Sequence, residues 1–254
     1  GVFVKPTVSG KDAVLDIETI VCNETFAESS YSVCTTIVDP DGEEVGQVEA
    51  SGMLPVYGKD TKKCQLEIAD AMLWDCGNPC LYTAVTEIFV DEKLVDHYET
   101  TFGIRSIEYT AEGLLLNGKQ TPLYGTCFHQ DFVGVGAAIP DAIQNYKIQK
   151  IRDIGFNAFR SSHNPATLEL LDACDRLGVL VINENRIIET SQHRMDDLEE
   201  LIKSSRNHPS VFAWSMSNEE IFAGSYQRMR ILDKMIRLQR AWMTAVCSYR
   251  RKAF

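Results

Sequence analysis

Asn218 and Glu219 stand near the end of the segment Asn207-His208-Pro209-Ser210-Val211-Phe212-Ala213-Trp214-Ser215-Met216-Ser217-Asn218-Glu219-Glu220, and their types and place point to acid catalysis. The run Val211 to Met216 is too short for a helix and rich in β formers, so it predicts a strand that gives way to a loop at Asn218-Glu219. Barrel enzymes keep their acids at the C-terminal ends of strands. A single glutamate there would more often only start the next helix, so the assignment needs support from elsewhere in the chain.

That support begins with Gly155-Phe156-Asn157-Ala158-Phe159-Arg160-Ser161-Ser162-His163-Asn164-Pro165, again an apolar strand running into polar residues. Leu170-Leu171-Asp172-Ala173-Cys174-Asp175-Arg176-Leu177-Gly178-Val179-Leu180-Val181-Ile182-Asn183-Glu184-Asn185-Arg186 lies between the two segments. In order and wording these three stretches resemble family 2 glycoside hydrolases of the β-galactosidase and β-glucuronidase type. Pro79-Cys80-Leu81-Tyr82, Phe102-Gly103-Ile104-Arg105, Leu116-Asn117-Gly118-Lys119 and Phe128-His129-Gln130-Asp131 stand in the same family order, so the resemblance spans most of the chain.

The resemblance implies a retaining exo-β-glycosidase, a β-galactosidase foremost, acting on a terminal β-linked sugar. Such enzymes need two carboxyl groups about 5 Å apart, one to protonate the leaving oxygen and one to attack the anomeric carbon. Glu219 matches the acid/base, and Asn218 the residue that hydrogen-bonds the sugar 2-hydroxyl. His129 and Asp131 resemble the motif that contacts sugar hydroxyls. Arg160 resembles the arginine that orients the nucleophile, and His163 stands beside it as a further substrate-binding residue. The nucleophile of the family lies on a later strand, and nothing in this chain matches it. Glu220 cannot substitute, because adjacent residues leaving a strand point to opposite sides. Glu184 and Glu189 read as buried partners for Arg160 or Arg186. Some β-galactosidases of the family hold Mg2+ after the third strand; here Glu189-Thr190 resembles part of that motif, but Ser191 stands where the histidine belongs. His193 reads as a surface histidine, and no cofactor or metal is expected.

Two kinds of element must position these residues. Residues 1 to about 104 alternate polar and apolar in short runs interrupted by turns such as Asp39-Pro40-Asp41-Gly42, which predicts an antiparallel β-sandwich. In the resembled family this place belongs to an immunoglobulin-like domain. From residue 105 to 254 the rhythm is strand, helix, strand, which predicts a parallel sheet of βα units. Strands are expected near 122–128, 157–161, 179–183, 211–217 and 242–247, with helices near 141–154, 166–177, 195–206 and 225–239. A TIM barrel needs eight strands and roughly 250 residues of its own, so about five strands make a truncated one.

Composition narrows the partners. A formal charge of -11 and a pI near 5.0 argue against nucleic acid. No apolar run approaches the roughly 20 residues of a membrane span. The start Gly1-Val2-Phe3 has no signal-peptide pattern and reads as a cut inside a longer protein, so it does not give the compartment, for which the cytoplasm is only a lean. The eight cysteines lack paired metal-ligand spacing and read as free thiols. An open half-barrel would leave its edge strands unpaired, so self-association, or pairing with the missing half, is expected. Without a nucleophile the chain alone should be inactive. The alternative is a non-catalytic binding or assembly module derived from such an enzyme, and a complete small enzyme using Glu219 with Glu184 ranks last. The acidic balance and the lack of a basic cluster lean away from a uronic acid as the sugar.

Overall fold

The structure, a computed structural model, describes residues 1–219 and 225–243. They fall into two compact units, Gly1–Trp74 with Cys80–Ser106, and Asp75–Pro79 with the residues from Ile107 onward.

The first unit consists of β1 (Val2–Ser9), β2 (Asp12–Cys22), β3 (Ser29–Val38), β4 (Glu44–Leu54), β5 (Lys59–Ile68), β6 (Tyr82–Val90) and β7 (Lys93–Phe102). They form two antiparallel sheets, ordered β1-β2-β5 and β4-β3-β6-β7. In β2 every second residue is buried, the two-residue period of a strand with one face on a core. Leu15 and Ile17 meet Ile37, Tyr82, Ala84, Phe102 and Ile104 there. Each such side chain fully buried contributes about 1.5–3 kcal/mol. The Tyr82 and Phe102 rings stack at 5.6 Å, and the Tyr82 hydroxyl accepts the Met72 amide at 2.8 Å, so its polar tip is satisfied inside the core. This is the expected sandwich.

The second unit opens with a small antiparallel sheet that the periodicity did not announce: β8 (Ile107–Thr110), β9 (Gly113–Leu116) and β10 (Lys119–Gln120). There follow β11 (Gly125–Phe128), α1 (Asp141–Asp153), β12 (Ala158–Ser161), α2 (Leu168–Leu177), β13 (Leu180–Glu184), α3 (Gln192–Ser205), β14 (Val211–Ser215) and α4 (Tyr226–Trp242). The four later strands form one parallel sheet in chain order, β11-β12-β13-β14, an arc of the expected barrel. The fifth strand, expected near 242–247, is corrected at its start: Trp242 ends α4, where its ring lies 4.1 Å from the Lys203 ammonium of α3. Residues 244–247 lie outside the described residues.

Packing fixes the arc. Phe159, Val181 and Val211 of the strands share a core with Ile148 and Ile151 of α1 and Leu170, Leu171 and Cys174 of α2. Thr167 starts α2 by accepting the Leu170 amide at 3.4 Å, and Gly178 ends it with φ 68. A Cβ at Gly178 would stand 2.6 Å from the Cys76 carbonyl oxygen, so only glycine fits. Gly125 is likewise required, because a Cβ there would come within 2.3 Å of the Ala158 carbonyl of the neighbouring strand. Between β13 and β14 the register jumps, Val181 pairing with Val211 and Ile182 with Ala213, which leaves Phe212 as a bulge. The Tyr109 hydroxyl donates to the Phe212 carbonyl at 2.5 Å.

Candidate active site

Each strand of the arc delivers polar residues at its C-terminal end. Arg160 lies one residue before the end of β12, Glu184 is the last residue of β13, and Asn218 lies three residues beyond β14. They form one connected network. Glu184 has a fully buried side chain. Its Oε2 accepts from Arg160 Nε at 2.6 Å and lies 2.5 Å from Arg160 Nη2, and its Oε1 lies 2.9 Å from His163 Nδ1. Arg160 Nη2 also donates to Asn218 Oδ1 at 2.9 Å. A buried carboxylate is tolerable because it is paired and hydrogen-bonded. Of the two arginines considered as partners of Glu184, Arg160 is the one engaged; Arg186 lends its backbone carbonyl to the Asn218 amide at 3.0 Å.

These contacts decide which atoms remain for a ligand. With Asn218 Oδ1 accepting from Arg160, its Nδ2 is left as a donor. An ionised Glu184 can only accept, so His163 Nδ1 carries the proton and Nε2 is the nitrogen left over. The His129 and His163 rings meet edge to face at 5.1 Å. His129 and Asp131 are both exposed on the loop after β11, and the Gln130 side chain donates across it to the Pro165 carbonyl. Glu219 is exposed at φ 41, a left-handed backbone conformation unusual for glutamate. Thus Arg160 is joined to Asn218 directly and to His163 through Glu184, His129 touches His163, and Asp131 and Glu219 stand in loops at the same strand ends.

Two residues that the spacing of motifs did not flag hold this network. Ser161 Oγ accepts the Glu184 amide at 3.1 Å. Asn185 Nδ2 donates to the Ile187 and Met216 carbonyls at 2.9 and 3.1 Å, tying the loop after β13 to the segment that leads to Asn218. Both follow a motif residue directly, and a small polar residue beside a strand-end charge was the available signal.

The described residues do not gather a hard-cation site after β13, since such an ion wants several oxygen ligands. Glu189 faces Arg194 at 3.7 Å, Ser191 is the N-cap of α3, and His193 faces Asp197 at 3.7 Å. Among the described residues, one cluster has metal-like spacing, Asp172, Asp175 and His208. Its groups are engaged with each other: Asp175 Oδ2 lies 2.6 Å from His208 Nδ1 and Oδ1 accepts the Ser210 amide at 2.9 Å. Burial opposes a charge on His208, but the hydrogen bond and charge of Asp175, with the charge of Asp172, hold the imidazole above its usual pKa. All seven cysteines among the described residues are free.

Residues 1–105 match the profile of glycosyl hydrolases family 2, and residues 107–191 and 187–242 that family's TIM barrel domain. The chain belongs to glycosyl hydrolase family 2. It is similar to the beta-galactosidase BoGH2A of Bacteroides ovatus, 36% identical over 226 residues that cover 84% of this chain and 27% of that protein. A beta-glucuronidase of Streptococcus agalactiae is 35% identical over 183 residues, covering 63% of this chain and 31% of its own. The crystal structure of a family 2 member from Bacteroides cellulosilyticus superimposes with a TM-score of 0.89 at 32% identity, over 98% of this chain and 35% of that one. The family 2 chain described here therefore spans about a third or less of these relatives. No helix among its described residues is long and apolar enough to cross a membrane.

Proposed function

We propose that this chain carries the acid/base half of a retaining exo-β-glycosidase site, with a terminal β-galactoside as substrate. Glu219 protonates the glycosidic oxygen as the bond breaks, and Asn218 donates from Nδ2 to the sugar 2-hydroxyl, a contact that strengthens as the oxocarbenium-like transition state forms. The observation that carries this reading is the Arg160 bridge: a buried Glu184 orients Arg160, and Arg160 orients the Asn218 carboxamide one residue before Glu219. His129, Asp131, His163 and Arg160 complete the sugar-binding side. Glu184 is no nucleophile in this scheme, because both its oxygens are taken up by Arg160 and His163 in a fully buried setting.

The nucleophile then comes from a further segment with the remaining barrel strands. That segment would seat against the open arc, where β11 and β14 are edge strands among the described residues and a concavity of about 480 Å³ is lined by Cys127, Phe159, Ile182 and Phe212. Failing that segment, self-association would cover the same edges. The catalytic part of the chain is residues 105–254, and residues 1–104 form an architectural, immunoglobulin-like domain. The relatives include beta-galactosidases and beta-glucuronidases alike, so the choice of a galactoside over a glucuronide rests on the acidic charge balance. Release of nitrophenol from aryl β-galactoside, β-glucuronide and β-mannoside, with and without the segment that follows in a full-length relative, tests the proposal. Turnover on the galactoside that requires the added segment supports it; equal turnover by the chain alone overturns the half-site reading.

A further inference from the structure

We propose that Lys147 of α1 is a positioning residue that sets the geometry of the loop carrying His129 and Asp131. Its Nζ lies 3.2 Å from the His129 carbonyl oxygen and 3.3 Å from that of Asp131, and 4.3 Å from the centre of the Phe128 ring. An ammonium has three N–H donors and no acceptor. Two carbonyls and one aromatic face therefore account for all three directions, a cation–π contact standing in for the third hydrogen bond. The two carbonyls flank Gln130, whose side chain reaches the Pro165 carbonyl of the loop after β12.

The loop needs such a hold. Its backbone closure comes later, in the Phe132–Gly136 turn, where the Phe132 amide donates to Gly136 at 3.0 Å and the Gly136 amide to Phe132 at 2.9 Å. Between Phe128 and that turn the carbonyls of residues 129 and 131 are gathered by one cation anchored on a helix, and helices position groups more firmly than loops do. Tyr146, next to Lys147, packs edge to face on Phe132 at 6.3 Å, so consecutive residues of α1 hold both ends of the segment. Burial lowers the Lys147 pKa, with the charge of Asp131 pulling the other way. A lysine on the surface of a helix ordinarily reads as a solvated charge. Here it links α1 to the backbone that aims His129 at His163.

The role in substrate positioning rests on the glycosidase reading; the hold on the loop does not. The test compares the whole chain with Lys147→Met, Lys147→Arg and, as a control on the same helix, Gln149→Met, whose side chain donates to Asp153 instead. Amide exchange at Phe132, Val135 and Gly136 and the nuclear Overhauser contact between the His129 and His163 rings are read in each, followed by titration with methyl β-galactoside. Two lost charge-assisted hydrogen bonds should speed exchange at these amides at least about tenfold in Lys147→Met. The ring contact should disappear and sugar affinity should fall, with substantial recovery in Lys147→Arg and no change in Gln149→Met. Unchanged loop exchange and an intact ring contact in Lys147→Met would overturn the proposal, and faster exchange with undiminished sugar affinity would overturn the role in substrate positioning. A wild-type chain that binds no glycoside at all would instead count against the glycosidase reading, and the exchange and ring-contact data would still decide whether Lys147 sets the loop.

Discussion

Replacing Arg160 by Met leaves the Glu184 carboxylate in a fully buried position without its cation, and the size of that penalty can be worked from the structure. The side chain of Glu184 has no exposure, while that of Arg160 is 32% exposed, so the carboxylate bears most of the cost of desolvation. His163 Nδ1 at 2.9 Å remains on Oε1, but nothing takes the place of the two guanidinium nitrogens close to Oε2. Breaking a buried pair by removing one partner costs about 3–5 kcal/mol, out of the 5–15 kcal/mol that typically separates folded from unfolded domains. At about 2–4 °C per kcal/mol for a unit of this size, the midpoint of the second unit should fall by roughly 6–20 °C. The same argument predicts that Arg160→Met with Glu184→Gln is more stable than Arg160→Met alone, because the uncompensated charge is gone. Hydrogen exchange in rising urea, read on peptides from β12 to β14, confines the measurement to the second unit. A loss below about 1 kcal/mol, or a double variant whose loss equals the sum of the singles, would refute the reasoning.

Three further outcomes follow from other parts of the fold. The folded state holds the His208 imidazole above its ordinary pKa, so its proton stabilises the second unit fully below that ordinary value, about 6.5, and the contribution is lost as pH rises through the elevated folded value. Urea midpoints between pH 6 and 9 should therefore fall more steeply for the wild type than for His208→Asn, and parallel slopes would count against it. Gly178→Ala should cost about 1–3 kcal/mol, and more than Gly10→Ala, which has a similar φ of 66 but nothing within 4 Å of its added methyl; equal losses would mean that the Cys76 carbonyl yields. Tyr109→Phe should destabilise β14 by about 0.5–1.5 kcal/mol and raise exchange near the Phe212 bulge, measured by the same peptide-resolved exchange.

Much of this architecture is legible in the residues. The apolar runs around 158–161, 180–184 and 211–215 bury side chains on both faces, so strands and their polar ends could be found from pattern alone. Glu184 could be read as a buried partner because it ends such a run. Which arginine it pairs with could not, since that depends on the register of β12 against β13. The β8–β10 sheet was missed because strands of four, four and two residues are too short for periodicity to register. A strand was expected near 242–247, yet Trp242 and Met243 join Leu198, Leu201 and Ile202 in the core around α3, and tertiary packing carries the helix to Trp242. Lys147 was invisible for a related reason: its partners are backbone carbonyls, which no side-chain pattern reveals.

The most direct test of the functional claim is the dependence of turnover on leaving group in Glu219→Gln, assayed with the complementing barrel segment present. A general acid matters most when the departing oxygen is a poor leaving group, and its loss typically costs about 10²–10⁴-fold. Glu219→Gln should therefore lose most of its turnover on an alkyl β-galactoside and much less on the nitrophenyl galactoside. Equal turnover by wild type and variant on the alkyl galactoside would contradict the assignment of Glu219 as the acid.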